Sequence, residues 1–222
     1  MIHVKLPTII VNFKAYESAI GYNALTLAME HDRIAKETGL SFAICVQPTD
    51  IYRIVSKVSI PVFSQHIDPV TYGSHTGHIL PEAVKQAGAF GTILNHAERN
   101  VELDMLETSI MRAKEVGLFT CVCANTPEAG EKIASFNPDL VAVEPPELIG
   151  GEVSVSQSKP TVITEAVNRI GEGKVLVGAG VKNGDDVAKA RELGAAGVLL
   201  ASGVTKATDP YKVLTDLAKG LM

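Results

Sequence analysis

The sequence predicts an α/β chain closed into a (β/α)8 barrel. Short, apolar, β-branched runs alternate with longer helical patterns from end to end. Eight such runs occur, which favours a closed barrel over an open doubly wound sheet. No Ser/Pro-rich linker or charge block divides residues 1–222, so one domain is expected. The open sheet is weakened further because no G-x-G-x-x-G follows the first strand and no G-x-x-x-x-G-K-[ST] loop is present.

The expected strands are Thr8–Val11, Phe42–Val46, Val62–Ser64, Gly91–Leu94, Phe119–Cys123, Leu140–Val143, Val175–Val177 and Gly197–Ala201. They are apolar throughout, as parallel strands buried on both faces should be. Helical periodicity fills the gaps. Leu103, Leu106, Ile110 and Ala113 share one face, and Val213, Leu214, Leu217, Ala218 and Leu221 share another. Thr126-Pro127 and Asp209-Pro210 each place a capping side chain before a proline at the first helical position. Asn183-Gly-Asp-Asp opens another helix with acidic residues in its first turn. Gly39, Gly88, Gly117 and Gly194 follow helical runs and suit the left-handed residue that ends a helix.

Composition narrows the functional classes. With 46% hydrophobic and 20% charged residues, the chain is globular in character. At 222 residues it can hide roughly 70% of its unfolded surface. A net charge of −5 argues against nucleic acid as a partner, since backbone binding needs clustered Lys and Arg, but a small anion needs only a local cationic site. The three cysteines, Cys45, Cys121 and Cys123, do not describe a disulfide scaffold and fit a reducing compartment. Cys121 and Cys123 lie two apart on a strand, pointing to one face, where they are expected to pack. No stretch reaches the roughly 20 apolar residues of a membrane span, and Lys5 and Pro7 interrupt any leader-peptide core, so a cytoplasmic location is expected. His66, His75 and His78 lack a partner carboxylate or Cys at ligand spacing, and no metal is expected.

In a barrel the working residues follow the strands, on the face built by the βα loops. Asn12 and Lys14 follow the first strand; Asn95, His96, Glu98 and Arg99 the fourth; Glu144 the sixth. Gly178-Ala-Gly180-Val181 follows the seventh, and Ala201-Ser202-Gly203 the eighth. Singly these are ordinary loop residues. Together they bring a cation, an imidazole, a carboxylate and two small-residue turns to one rim.

At these positions the chain resembles the triosephosphate isomerase family, in the short form typical of archaea. The resemblance rests on Val11-Asn12-Phe13-Lys14, Leu94-Asn95-His96-Ala97-Glu98-Arg99, Val143-Glu144-Pro-Pro-Glu-Leu-Ile-Gly150, Gly178-Ala-Gly-Val181 and Leu200-Ala-Ser-Gly-Val204. They stand in the family's order and at compatible spacing. The resemblance implies a TIM barrel and a cofactor-independent isomerase that interconverts D-glyceraldehyde 3-phosphate and dihydroxyacetone phosphate. It assigns Glu144 as the base, His96 as a neutral imidazole that polarises the substrate oxygens, and Lys14 and Asn12 as stabilisers of the enediolate. A helical turn over residues 97–100 would support His96. Glu98 is expected to hold Lys14 through an ion pair in a supporting role, with a second catalytic role as the alternative.

The same resemblance implies a lid made of Pro145, Pro146, Glu147, Leu148, Ile149, Gly150 and Gly151. It implies phosphate binding by the backbone amides of Gly150, Gly180, Val181, Ala201 and Ser202, a turn pattern shared with other phosphate-binding barrels. It places Thr76, in Gly73-Ser-His-Thr-Gly77, at the interface of a homodimer or homotetramer. The chain departs from the family pattern at Ala97, often Ser, at Gly151-Glu152, often Thr-Gly, and at His78, often Glu in longer members, so that the usual pairing with Arg99 is either missing or remade. Two alternatives remain. One is another phosphate-binding barrel enzyme, opposed by Asn12, Lys14, His96 and Glu144. The other is a catalytically silent barrel scaffold, opposed by the presence of every catalytic position.

Overall fold

The structure is a computed structural model, and it describes residues 3–145 and 154–222. Eight parallel strands close into a barrel in sequence order: β1 Thr8–Asn12, β2 Ser41–Val46, β3 Val62–Ser64, β4 Gly91–Leu94, β5 Phe119–Ala124, β6 Leu140–Val143, β7 Val175–Gly178 and β8 Gly197–Leu200. The barrel closes where Thr8 to Val11 of β1 lie beside Gly197 to Leu200 of β8. Each expected strand is present within one residue at either end.

The described helices pack outside the barrel. They are α1 Gly21–Thr38, α2 Pro48–Val55, α3 Pro81–Gln86, α4 Leu103–Glu115, α5 Pro127–Ala134, α6 Val155–Ser158, α7 Pro160–Ile170, α8 Gly184–Glu192, α9 Ser202–Thr205 and α10 Pro210–Lys219. The expected caps form. Thr126 accepts from the Ala129 amide, Asn183 from Asp186 and Asp209 from Lys212. Gly39, Gly88, Gly117 and Gly194 all have φ between 70° and 97°, the left-handed turn anticipated for them. One expectation is corrected. Leu106, Ile110 and Ala113 are buried, but Leu103 is 49% exposed, because it opens α4 one turn ahead of the part that packs on the barrel.

Strand alternation divides the apolar side chains into two layers. Ile9, Val11, Phe42, Ile44, Val122, Val141, Val143, Val175, Val177 and Val198 face the helices. Ile10, Ala43, Cys45, Phe63, Ile93, Cys121, Cys123, Leu140, Ala142, Leu176 and Leu199 fill the barrel. The three cysteines are therefore buried interior packing, as expected, and unpaired. The same parity carries the chemistry. Continuing Ile10 by two gives Asn12, Leu140 and Ala142 lead to Glu144, Leu176 to Gly178, and Leu199 to Ala201. These four inward rows thus end at the mouth with residues singled out from the sequence.

Candidate active site

A cavity at the C-terminal ends of the strands is lined by Asn12, Lys14, His96, Glu144, Gly180, Val181, Ala201 and Ser202, together with Tyr16 and Lys182. Eight of the residues nominated from the sequence thus meet in one place, although they span most of the chain.

The loop after β1 holds its cation in a constrained backbone. Lys14 has φ of 52°, a left-handed conformation that costs a non-glycine residue roughly 1–2 kcal/mol. Neighbouring groups hold it there. The Lys14 amide donates to Asn12 Oδ1 at 3.0 Å, and Gln65 Nε2 donates to the Lys14 carbonyl at 2.9 Å and to Asn12 Oδ1 at 3.2 Å. Because Asn12 Oδ1 is engaged twice, its amide nitrogen is the group left for the cavity. Lys14 Nζ pairs with Glu98 Oε1 at 2.8 Å, the partnership expected of Glu98.

After β4, Asn95 also adopts a left-handed conformation, with φ of 57°. It donates through Nδ2 to the Cys123 carbonyl and accepts the Val101 amide, fixing both ends of the loop. This break in alternation turns His96 into the cavity. The Glu98 amide donates to His96 Nδ1 at 3.1 Å. Since Nδ1 accepts, a neutral ring carries its proton on Nε2. That nitrogen lies 3.8 Å from Glu144 Oε2. The helical turn expected over residues 97–100 is replaced by a single tight turn closed by the Arg99 amide on the His96 carbonyl, because α4 starts only at Leu103.

Glu144 is 5% exposed, and burial pushes its carboxyl above the ordinary carboxylate range, against the opposing pull of His96, Cys123 and Lys14. Cys123, two residues along the inward row of β5, faces the carboxylate from within the barrel and lowers its titration point. Oε2 has no hydrogen-bond partner among the described residues. Gly178 sits beside it, and a β-carbon there would stand 2.2 Å from Glu144 Cγ. A carboxylate short of hydrogen bonds, facing an imidazole N–H and a nearby ammonium, is suited to take a proton from a weak carbon acid while the other two groups receive the charge that develops.

The opposite wall is backbone. Ala179 and Gly180 both have φ of 72°, and a β-carbon on Gly203 would meet the Val181 carbonyl at 3.2 Å, so the turns after β7 and β8 abut. Ser202 begins α9, and the first amides of a helix lack an intrahelical acceptor.

Other nominated residues fall elsewhere. Thr76 is on an exposed loop, outside this cavity. Pro145 is buried. Pro146, Glu147, Leu148, Ile149, Gly150 and Gly151, read from the sequence as lid and, for Gly150, as a phosphate-side amide, lie outside the described residues, as does Glu152. Arg99 has a substitute partner in Asp68 at 3.5 Å. His66 bonds the same carboxylate, and no cluster able to hold a metal occurs among the described residues.

The sequence did not single out Gln65, Tyr16, Lys182 or the part Cys123 plays at Glu144. Gln65 follows β3 by one residue, so inspection of every strand end reaches it. Its donation across β2 to the loop after β1 carries no sequence signal.

Known proteins similar to this chain fall in one family. The family model described as triosephosphate isomerase matches residues 7–219. The triosephosphate isomerase of Methanobacterium bryantii is 49% identical over 215 residues, covering 95% of each chain. That of Methanosarcina acetivorans is 44% identical over 217 residues, covering 96% of this chain and 98% of its own. The crystal structure of triosephosphate isomerase from Bartonella henselae aligns with a TM-score of 0.72 over 97% of each chain, at 18% identity, a likeness of fold.

Proposed function

This chain belongs to the triosephosphate isomerase family, and from that premise we propose that it interconverts D-glyceraldehyde 3-phosphate and dihydroxyacetone phosphate through an enediolate. The observation that carries the proposal is the convergence of Lys14, His96 and Glu144 on one cavity, with His96 Nε2 only 3.8 Å from Glu144 Oε2.

Glu144 removes the proton from the carbon beside the carbonyl and returns it to the neighbouring carbon. His96 donates its Nε2 proton toward the substrate oxygens and serves the companion exchange of the hydroxyl proton between them. Lys14 and the Asn12 side-chain amide offset the negative charge of the enediolate. Glu98 holds Lys14 in place. The amides of Gly180, Val181, Ala201 and Ser202, with Gly150, bind the phosphate. Small residues support this assignment because they let the backbone approach an anion. The lid role of residues 145–151 belongs to the same proposal: closure removes water and protects the enediolate from losing its phosphate. The exposed Thr76 loop serves as the contact of a homodimer or homotetramer, which light scattering tests.

A coupled assay with glyceraldehyde 3-phosphate tests the activity directly. Conversion to dihydroxyacetone phosphate is expected without added metal or nucleotide. Glu144→Asp is expected to lose on the order of a hundredfold in turnover, because catalysis falls steeply when the base retreats by about 1 Å. A wild-type rate in that variant removes Glu144 from its role.

A further inference from the structure

We propose that Asp186 is a positioning residue that clamps the cavity wall at residues 179–182 to residues 154–157 and thereby sets the affinity of the mouth for a phosphate group; this rests on the function proposed above. Asp186 is 2% exposed and stands third in α8. Part of its bonding belongs to the start of α8: its amide donates to the capping Asn183 Oδ1 at 2.9 Å, and its Oδ2 accepts the amide of Lys182, the residue before the cap, at 2.9 Å. This uses one oxygen. The other, Oδ1, accepts from Ser154 Oγ and from Gln157 Nε2, each at 2.6 Å. Those donors come from a separate segment about thirty residues earlier, reached in space only because α6 packs on α8.

The clamp closes a second time where the Val155 amide donates to the Ala179 carbonyl at 3.3 Å. Residues 154–157 thus grip both ends of the turn that contributes Gly180, Val181 and Lys182 to the cavity. The turn after β8 leans on the same wall through Gly203 and Val181. Displacing Val181 therefore disturbs amides on both sides of the mouth. An aspartate suits the position because both carboxylate oxygens accept, whereas an asparagine offers one acceptor. Anion binding by backbone amides tolerates little misplacement, so a buried carboxylate behind the wall acts on binding without touching the ligand.

The test uses the full chain with Ser154→Ala and Asp186→Asn. For each, kcat and KM for glyceraldehyde 3-phosphate, the dissociation constant of inorganic phosphate and the thermal midpoint are measured. Both variants are expected to raise KM and the phosphate dissociation constant together by about fivefold, with kcat changing less. Ser154→Ala keeps the α8 cap intact but also removes the cap of α6, where its hydroxyl accepts the Gln157 amide at 3.3 Å, so phosphate affinity and not the thermal midpoint reports on the clamp if Asp186→Asn folds poorly. Unchanged phosphate affinity in a folded Ser154→Ala overturns the proposal, as does a lowered thermal midpoint with unchanged KM in both variants. A wild-type chain that binds phosphate but does not isomerise the triose overturns the proposed function, while the phosphate comparison still decides the role of Asp186.

Discussion

Gly178 leaves the space that Glu144 fills. A methyl group there would overlap the Glu144 side chain at Cγ, Oε1 and Cδ, all within 2.6 Å. Gly178→Ala is expected to push the carboxylate from its place and lower kcat by about a hundredfold, by the same sensitivity to misplacement that governs Glu144→Asp. Circular dichroism that matches the parent, with activity also matching it, would show that Glu144 does not need this seat. The carboxyl itself is held at a cost. Burial raises its titration point, so the folded state keeps its proton at pH values where the unfolded chain has lost it. Stability from this group is therefore lost as pH rises through that interval. Glu144→Gln is expected to raise the thermal midpoint at neutral pH while abolishing activity, a trade of stability for function that calorimetry reads directly. The raised titration point also sets the acid limb of the wild-type rate, since only the ionised form is a base. That limb should lie above the ordinary carboxylate range.

Helices and strands are fixed by local chemistry that the sequence displays openly. Thr126 precedes Pro127, and its hydroxyl accepts from the Ala129 amide at 3.2 Å. Thr126→Ala should cost about 1 kcal/mol in denaturant unfolding without changing kcat, because α5 lies away from the cavity. A smaller loss would mean that solvent satisfies the freed amide. The strands were legible because parallel barrel strands are buried on both faces and read as continuous apolar runs. Helix boundaries were legible through caps and glycines. Leu103 was misjudged because periodicity gives an angle around the helix axis and says nothing of how far along that axis packing extends. The turn at residues 97–99 was misjudged because a motif fixes residue types but not the local backbone path.

At the scale of the whole molecule, His31 ties stability to pH. It is wholly buried in α1, bonds the Leu27 carbonyl through Nδ1 and packs against Phe13. Burial lowers its titration point from 6.5 to about 4. The unfolded chain takes up the proton first as pH falls, so stability present above pH 6.5 is lost progressively down to about 4. A shift of this size is worth about 3 kcal/mol. His31→Met should flatten the dependence of the unfolding midpoint across that window; an equally steep dependence would locate the sensitivity elsewhere.

The sequence by itself determined the order of strands and helices, and it set Asn12, Glu144, Gly178 and Ala201 at or just after the ends of strands. These follow from local rules, the apolar run of a buried strand and the capping of a helix. Only the tertiary structure decided which side chains support them. Gln65 braces Asn12 and Lys14, Gly178 leaves room for Glu144, Asp68 takes up Arg99, and Asp186 joins segments distant in the chain. Each of these contacts depends on which strand neighbours which and at what register. Closure of the barrel sets that relation, and no local pattern encodes it.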